Sequence, residues 1–263
     1  MATSRAVYLR PSFSLLLGVW GELRVSGEWL RLKTTQVFGG AGVRRGDGRG
    51  IILVPGFLGS DNYLNDLYRW LLRIGYKPYF ANFGRNSECP EILTQKLVLT
   101  INKVYEETAR KVVIIGHSLG GTIAIAATMR RSGKVSKIIT LGSPIHNAGV
   151  NPLVFVTASV LGSFIRTRGN RLENCYTDRC SCQFVRSLPK PPPKGVEAAA
   201  IYTRGDRAVR WQCTVWNKDE GCNFAVKGTH IGLAFNPEVY RAIADILSGE
   251  TAGRKIPLLK VVT

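Results

Sequence analysis

The sequence predicts an α/β protein with a mostly parallel central sheet, and three observations support this. Short apolar runs alternate with helix-like segments between residues 51 and 144 and again between 198 and 250. Turn residues such as Pro55-Gly56 and Gly75 separate these segments. A chain of 263 residues is also long enough for one such domain to bury about three-quarters of its unfolded surface. Because strands that alternate with helices are joined by right-handed crossovers, consecutive strands are expected to run parallel.

Strands are predicted where apolar runs are short, and helices where apolar residues recur every three or four positions. The predicted strands cover residues 51–54, 78–81, 112–115, 135–141, 198–203 and 224–227. The predicted helices cover residues 62–74, 91–107, 122–129 and 236–247. For the last helix, Asn236 is a suitable N-cap and Pro237 suits the first helical position.

Three further segments flank or interrupt the predicted core, which comprises residues 51–144 and 198–250. Residues 1–50 are expected to be an N-terminal segment that ends in a glycine-rich connection. Residues 145–197 follow the strand that ends in Leu-Gly-Ser-Pro, and they are expected to form a cap or lid over the sheet edge. Within this segment, residues 153–164 are apolar enough to form one helix. Residues 251–263 are expected to form a C-terminal tail.

The short apolar run over residues 13–20 follows two arginines, as in a signal peptide. Pro11 and Ser14 interrupt the pattern, and Glu22 and Arg24 stand where a cleavage site would be needed, so a packed N-terminal segment is the favoured interpretation. The sequence contains no stretch of eighteen apolar residues, so no transmembrane helix is predicted. A soluble cytoplasmic protein is favoured over a secreted one, although the sequence does not determine the compartment.

Positive charge exceeds negative charge by a wide margin, since 36 Lys and Arg residues against 18 Asp and Glu residues give a net charge of +18. The basic residues are spread along the chain, and no basic block interleaved with aromatic residues suggests a nucleic-acid-binding motif. We therefore expect a solvated basic surface and no nucleic-acid partner. Peripheral contact with an anionic lipid interface is the alternative. The oligomeric state is not indicated.

A candidate nucleophile lies between a predicted strand and a predicted helix. The apolar run over 112–115 leads directly into Gly116-His117-Ser118-Leu119-Gly120, the Gly-x-Ser-x-Gly pattern of a nucleophile elbow. Ser118 would need a strained backbone to project its hydroxyl, and Gly116 and Gly120 have no β-carbon to collide in so tight a bend. The alternative is a glycine-rich turn with an incidental serine.

A serine hydroxyl needs a base to accept its proton, and histidine is the usual base near neutral pH. The chain has three histidines. His117 adjoins the serine within the turn and should point away, and His146 follows the strand end at Ser143-Pro144. His230 lies in a loop between the last predicted strand and the last predicted helix, so it is the predicted base, with His146 as the alternative.

The base in turn needs a carboxylate that holds its ring in one tautomer. Six acidic residues lie between Ser118 and His230, and only Asp206 directly follows a predicted strand. The carboxyl ends of parallel strands share one sheet edge, so Asp206 is expected beside Ser118 and His230. The alternative for Asp206 is an ordinary turn aspartate.

Attack by a serine on an ester creates an oxyanion that fixed N–H groups stabilise. One donor is expected to be the backbone of Leu119, directly after the nucleophile. The second is expected in the turn after the first strand, at Phe57, with Leu58 as the near alternative. A Pro55-Gly56 turn with a purely structural role is the other interpretation.

Taken together, these segments resemble bacterial α/β-hydrolases of the esterase/lipase type. The resemblance covers about residues 51–248 and is carried by VPGFLGS (54–60), FGRN (83–86), GHSLGG (116–121), LGSP (141–144), the Asp206 turn with Trp211, and GTHIGLAFNPEVYRAI (228–243). It implies the α/β-hydrolase fold, no cofactor, a triad of Ser118, Asp206 and His230, and oxyanion donors at Phe57 and Leu119. The chain has Val-Pro-Gly where many lipases have His-Gly, and its cysteine-bearing insertion is not general to the fold, so the resemblance does not imply a substrate.

The cysteines do not follow the spacing of a zinc site, because paired Cys-x2-Cys motifs are missing and no metal site is predicted. One or two disulfides that stiffen the cap are favoured, with reduced thiols and a metal site as alternatives. The cysteines that such pairing would involve are Cys175, Cys180, Cys182, Cys213 and Cys222.

The predicted function is hydrolysis of carboxylic esters through an acyl-enzyme, by a carboxylesterase or a triacylglycerol lipase. A small-molecule ester or lipid would lie against apolar walls at Leu58, Ile145, Leu153 and Ile231. The alternatives are an acyltransferase that uses the same triad with an alcohol acceptor, and a non-catalytic protein that binds anionic surfaces.

Overall fold

The structure, a computed structural model, describes residues 25–145, 182–188, 190–217 and 222–249. A six-stranded sheet in the order β2-β1-β3-β4-β5-β6 forms its centre, and each of the five pairings between neighbouring strands is parallel. The predicted parallel sheet is therefore confirmed. The strands are β1 (Gly50–Val54), β2 (Lys77–Phe80), β3 (Val112–His117), β4 (Val135–Leu141), β5 (Glu197–Thr203) and β6 (Cys222–Val226).

Helices cover both faces of the sheet. Residues 25–33 are helical and form α1 in the described part of the chain. The others are α2 (Gln36–Gly39), α3 (Asn65–Arg73), α4 (Pro90–Thr108), α5 (Leu119–Arg130), α6 (Gln183–Ser187) and α7 (Pro237–Ser248). The Asn236 side chain caps α7 by accepting a hydrogen bond from the Glu238 N–H at 2.8 Å, which confirms the predicted cap.

Alternate residues of the strands enter two separate cores. In β1, Ile51 and Leu53 belong to a cluster with side chains of α3 and α7, including Trp70 and Tyr240. Ile52 and Val54 point to the other face, where they join a cluster formed largely by α4 and α5. Because both faces are covered, β1 and β3 are buried along their full length, which explains why their sequences are apolar without alternation.

The described part of the segment before β1 packs against the core. Leu32 and Val37 are buried, and the Trp70 indole N–H donates to the Val37 carbonyl at 2.7 Å. The glycine-rich connection is also held, because the Gly46 N–H donates to the Ile74 carbonyl at 2.7 Å. α1 and α2 therefore have fixed positions relative to the sheet.

Two predicted helices start at different residues from those expected. The helix predicted over 62–74 begins with a 3-10 helix, Asp61–Leu64, and continues as α3. The helix predicted to begin at residue 122 begins at Leu119, because Gly120 and Gly121 form its first turn rather than a separate loop.

Much of the predicted cap, including its helix over 153–164, lies outside the described residues, as do the N-terminal run over 13–20 and the C-terminal tail. The described end of the predicted cap segment contacts the core at α6. The Glu91 carboxylate accepts hydrogen bonds from the Phe184 N–H at 2.8 Å and from the Arg130 guanidinium at 2.7 Å. Among the described helices, none is long and apolar enough to cross a membrane.

Candidate active site

The predicted elbow is present at the carboxyl end of β3. Ser118 lies between the last residue of β3 and the first residue of α5, with φ 51° and ψ −127°. A positive φ at a non-glycine residue is strained by roughly 1–3 kcal/mol and is typical of functional sites. The turn is tight as well, since a β-carbon on Gly120 would lie 2.4 Å from the Pro55 carbonyl oxygen. The strain and the close approach together direct the hydroxyl away from the sheet.

The structure brings Ser118, His230 and Asp206 together in one hydrogen-bonded chain. The distance from His230 Nε2 to Ser118 Oγ is 3.0 Å, and the distance from His230 Nδ1 to Asp206 Oδ2 is 2.6 Å. An ionised carboxylate only accepts hydrogen bonds, so Nδ1 carries the ring proton and its N–H donates a hydrogen bond to Asp206. Nε2 is then left as the acceptor for the Ser118 hydroxyl. This is the tautomer that a general base requires.

The Asp206 carboxylate is itself held in place by its own turn. Its Oδ1 atom accepts hydrogen bonds from the N–H groups of Ala208 and Val209, both at 2.8 Å. The side chain is only 1% exposed, whereas that of His230 is 13% exposed. The turn directly follows the carboxyl end of β5, as predicted, so Asp206, His230 and the Ser118 hydroxyl lie at the same edge of the sheet.

The loop after β1 faces the same elbow and is shaped by a residue that we did not single out in the sequence. Asn86 is fully buried, and its side-chain N–H donates to the Pro55 carbonyl at 2.7 Å. Its backbone N–H donates to Gly59, and its carbonyl accepts from the Leu58 N–H at 2.7 Å. Leu58 is thus committed elsewhere as a donor, which favours Phe57 over it. The only sequence signal for Asn86 was its place in the FGRN motif.

The N–H of Leu119 lies at the first position of α5, where backbone N–H groups have no acceptor inside a helix. It adjoins Ser118 directly, as the prediction of an oxyanion donor requires. Two residues further along α5, the Gly121 N–H donates to the Ser118 carbonyl at 3.0 Å. The role of Phe57 as the second donor stays a prediction.

Two rings, the buried His117 and the partly buried Tyr63, hold the backbone of the loop between β6 and α7 that carries His230, the histidine loop. The sequence did not indicate either contact. His117 points away from the hydroxyl of Ser118, and its Nε2–H donates to the His230 carbonyl at 2.9 Å. The Tyr63 hydroxyl donates to the Ile231 carbonyl at 2.8 Å. The His117 ring lies between those of Tyr63 and His230, with centroids 5.5 Å and 5.1 Å away. The carbonyls of His230 and Ile231 are therefore both held by hydrogen bonds.

Burial, and next the nearby His230 ring, lower the pKa of His117 to about 3. The unfolded chain binds a proton at this residue below pH about 6.5, but the folded protein does not until about pH 3. Because the unfolded state then carries more protons, His117 should cost about 2 kcal/mol of stability between pH 8 and pH 5.

Urea unfolding at pH 8 and pH 5 checks this prediction. When the pH is lowered from 8 to 5, the free energy of unfolding should fall further in the wild-type protein than in His117→Gln. Glutamine keeps an N–H donor at this position but does not titrate. An equal fall in both proteins would contradict it.

The predicted substrate walls occupy different environments. Leu58 is partly buried, and Ile231 is 51% exposed next to the base. Ile145 is only 1% exposed and packs in the core with α4 and α5, so it lies beneath the site surface. Leu153 lies outside the described residues, as does the alternative base His146. A substrate-contact role for these four apolar residues stays a prediction.

The described cysteines do not test the predicted disulfides fully. No disulfide joins any two of the four cysteines in the described ranges, and Cys222 carries an exposed free thiol. Cys175 and Cys180 lie outside those ranges, so pairing that involves them stays a prediction. Within the same ranges, no group of three His, Cys, Asp or Glu side chains is arranged to hold a metal ion.

Comparison with known proteins agrees with this architecture. Residues 81–159, which include the elbow, match a family described as a PGAP1-like alpha/beta domain. No curated protein sequence gives a significant match.

Several solved structures are similar over most of the chain. One is the mature form of a lipase from Bacillus licheniformis, with 14% identity, a TM-score of 0.57, and coverage of 78% of this chain and 94% of the lipase. Another is a monoacylglycerol lipase from Paleococcus ferrophilus, with 15% identity, a TM-score of 0.52, and coverage of 79% and 96%. A third is the alpha/beta hydrolase GrgF from a Penicillium species, with 15% identity, a TM-score of 0.57, and coverage of 80% and 91%. As its motifs predicted, the chain has the α/β-hydrolase fold.

Proposed function

We propose that the chain is a serine hydrolase that cleaves carboxylic esters, with Ser118 as nucleophile, His230 as general base and Asp206 as the residue that orients the base. The observation that carries the proposal is the unbroken series of hydrogen bonds from the Ser118 hydroxyl to the buried Asp206 carboxylate. A serine that is merely structural would need neither the strained backbone nor two aligned partners.

The first half of the reaction forms an acyl-enzyme. Ser118 Oγ attacks the ester carbonyl carbon while its proton passes to His230 Nε2, and the imidazolium is stabilised by Asp206. The tetrahedral intermediate then collapses as the carbon–oxygen bond to the alcohol breaks. The leaving alcohol takes the proton from Nε2, so the imidazole returns to its neutral form.

The second half repeats the sequence with water. His230 Nε2 takes a proton from a water molecule as its oxygen attacks the acyl carbon, and a second tetrahedral intermediate forms. When this intermediate collapses, Ser118 Oγ leaves and recovers its proton from Nε2. The products are a carboxylic acid and the free enzyme.

Both intermediates place a negative charge on the former carbonyl oxygen. We assign its two donors to the backbone N–H groups of Leu119 and Phe57. The amino end of α5 contributes a partial positive charge to the Leu119 side, and Asn86 holds the turn that presents Phe57. One such donor typically contributes about 3 kcal/mol to stabilising the transition state.

The proposed substrate is an ester with an apolar acyl group. Leu58 and the half-exposed Ile231 supply apolar surface beside the reacting groups. Two of the structurally similar proteins are called lipases, which supports an ester or lipid substrate for a site of this kind. Whether the enzyme acts as a carboxylesterase or as a lipase depends on the acyl chain that it accepts.

Hydrolysis of a series of p-nitrophenyl esters, from acetate to palmitate, tests the proposal. We expect turnover of at least part of the series, and the chain length with the highest kcat/KM separates a carboxylesterase from a lipase. No turnover at any chain length would contradict the proposed function.

A further inference from the structure

A carboxylate from α1, far from the triad in sequence, lies within the histidine loop. Glu28 Oε1 accepts a hydrogen bond from the Thr229 N–H at 2.9 Å, and Oε2 accepts one from the Thr229 hydroxyl at 2.8 Å. Thr229 directly precedes His230, and its hydroxyl also accepts from the Gly232 N–H at 3.1 Å. One carboxylate thus holds both hydrogen-bond donors of Thr229, the residue before His230.

The glycines on either side of this contact leave room for the carboxylate. A β-carbon on Gly228 would lie 2.9 Å from Glu28 Oε1, and a β-carbon on Gly232 would overlap Oε2, at 1.4 Å. Gly228 also has φ 150°, a conformation that a side chain would strain. The Gly-Thr-His-Ile-Gly sequence therefore surrounds the Glu28 side chain, and its two glycines are explained by that packing.

Glu28 is in turn held by the helix that carries it. Leu32 of α1 is buried in the core, and the Trp29 indole N–H donates to Asp66 of α3 at 2.8 Å. Lys33 forms an ion pair with the same Asp66 carboxylate. The position of the carboxylate is therefore set by the main body of the protein rather than by the loop that it contacts.

We propose that Glu28 is a positioning residue for His230, so that the segment before β1 completes the active site. The inference rests on the proposed function, because it assigns Glu28 a role through the base. Tyr63 and His117 hold the carbonyls of the loop, whereas Glu28 holds an N–H group on the preceding residue. Without Glu28, Thr229 would lose two hydrogen bonds, although the Thr203 hydroxyl would still donate to the Gly228 carbonyl at 3.0 Å. The loop would then hold His230 less firmly, and Nε2 would less often lie within reach of the Ser118 hydroxyl.

Three variants test the proposal. Glu28→Ala removes both contacts, and Glu28→Gln keeps an acceptor for the Thr229 N–H and can donate to the Thr229 hydroxyl. Glu106→Ala is the matched control, because Glu106 is a largely exposed glutamate of α4 that pairs with Lys134 at 3.5 Å. Thermal unfolding of each variant identifies any general loss of folding.

We expect Glu28→Ala to lower kcat for an accepted ester by about tenfold to hundredfold, with KM within about twofold, since misplacing a catalytic group slows the chemical step. Glu28→Gln should restore most of that kcat, and Glu106→Ala should leave kcat unchanged. An unchanged kcat in Glu28→Ala would overturn the proposal, as would an equal loss in Glu28→Gln.

A second readout does not depend on activity. Hydrogen exchange of peptides that cover residues 226–235 should speed up in Glu28→Ala but not in Glu28→Gln or Glu106→Ala. If exchange of this loop is the same in Glu28→Ala and wild type, the proposed restraint is wrong. If the loop responds as expected but the wild-type protein hydrolyses no ester, the restraint stands and the proposed function fails.

Discussion

Replacing Ser118 by alanine is expected to lower kcat for an accepted ester by about 10⁴-fold or more, with little change in the free energy of unfolding. The alanine removes the only atom that would form the covalent bond to the acyl group. What remains is the oxyanion site and substrate binding, which give a small residual rate. Measuring kcat together with urea unfolding checks both parts of the prediction.

The matched control for this variant is Ser248→Ala. Ser248 is the last residue of α7, and its hydroxyl donates only to the Asp245 carbonyl at 3.0 Å. We expect its kcat to equal that of the wild type. If Ser118→Ala keeps more than about a tenth of the wild-type kcat while remaining folded, Ser118 does not form an acyl-enzyme.

Replacing Asp206 by asparagine is expected to lower kcat by about 10⁴-fold through the tautomer of His230. Asp206 Oδ1 accepts from two backbone N–H groups, so the asparagine oxygen should keep that place and turn its NH2 group toward His230. Nδ1 would then have to accept a hydrogen bond, and Nε2 would carry the proton. A protonated Nε2 cannot take the proton of Ser118.

Asp47→Asn is the control, since Asp47 forms ion pairs with Arg49 and Arg110 just before β1, at the opposite edge of the sheet. In steady-state kinetics, kcat of Asp206→Asn should be about 10⁴-fold lower than kcat of Asp47→Asn. Equal rates for Asp206→Asn and the wild type would show that the contact between Asp206 and His230 does not control the base.

The features that could be predicted from sequence were those set by local patterns. An apolar run followed by Gly-x-Ser-x-Gly predicted the elbow, because both the strand and the tight turn are determined within about ten residues. The place of Asp206 followed from one further rule, that parallel strands end at the same sheet edge. The alternation of short apolar runs with helix-like segments is also a local pattern, and it predicted the parallel sheet.

The contacts that support the site could not be predicted, because they join residues distant in sequence. Glu28 meets Thr229 across 201 positions, and no pattern around Glu28 distinguishes it from the other acidic residues. Asn86 acts through its burial and three hydrogen bonds, which are properties of the folded state. The sequence pattern predicted that Tyr63 belongs to an α-helix. In the structure it lies in the 3-10 helix before α3, and its hydroxyl donates to the Ile231 carbonyl in the histidine loop.

Labelling with a fluorophosphonate probe tests the central claim most directly, because such probes react with a serine only when a neighbouring base and an oxyanion site activate it. The account predicts a single phosphonyl adduct on Ser118 in the native protein, identified by mass spectrometry, and none after heat denaturation or in Ser118→Ala. A native protein that stays unlabelled, or one whose adduct persists in Ser118→Ala, would contradict it.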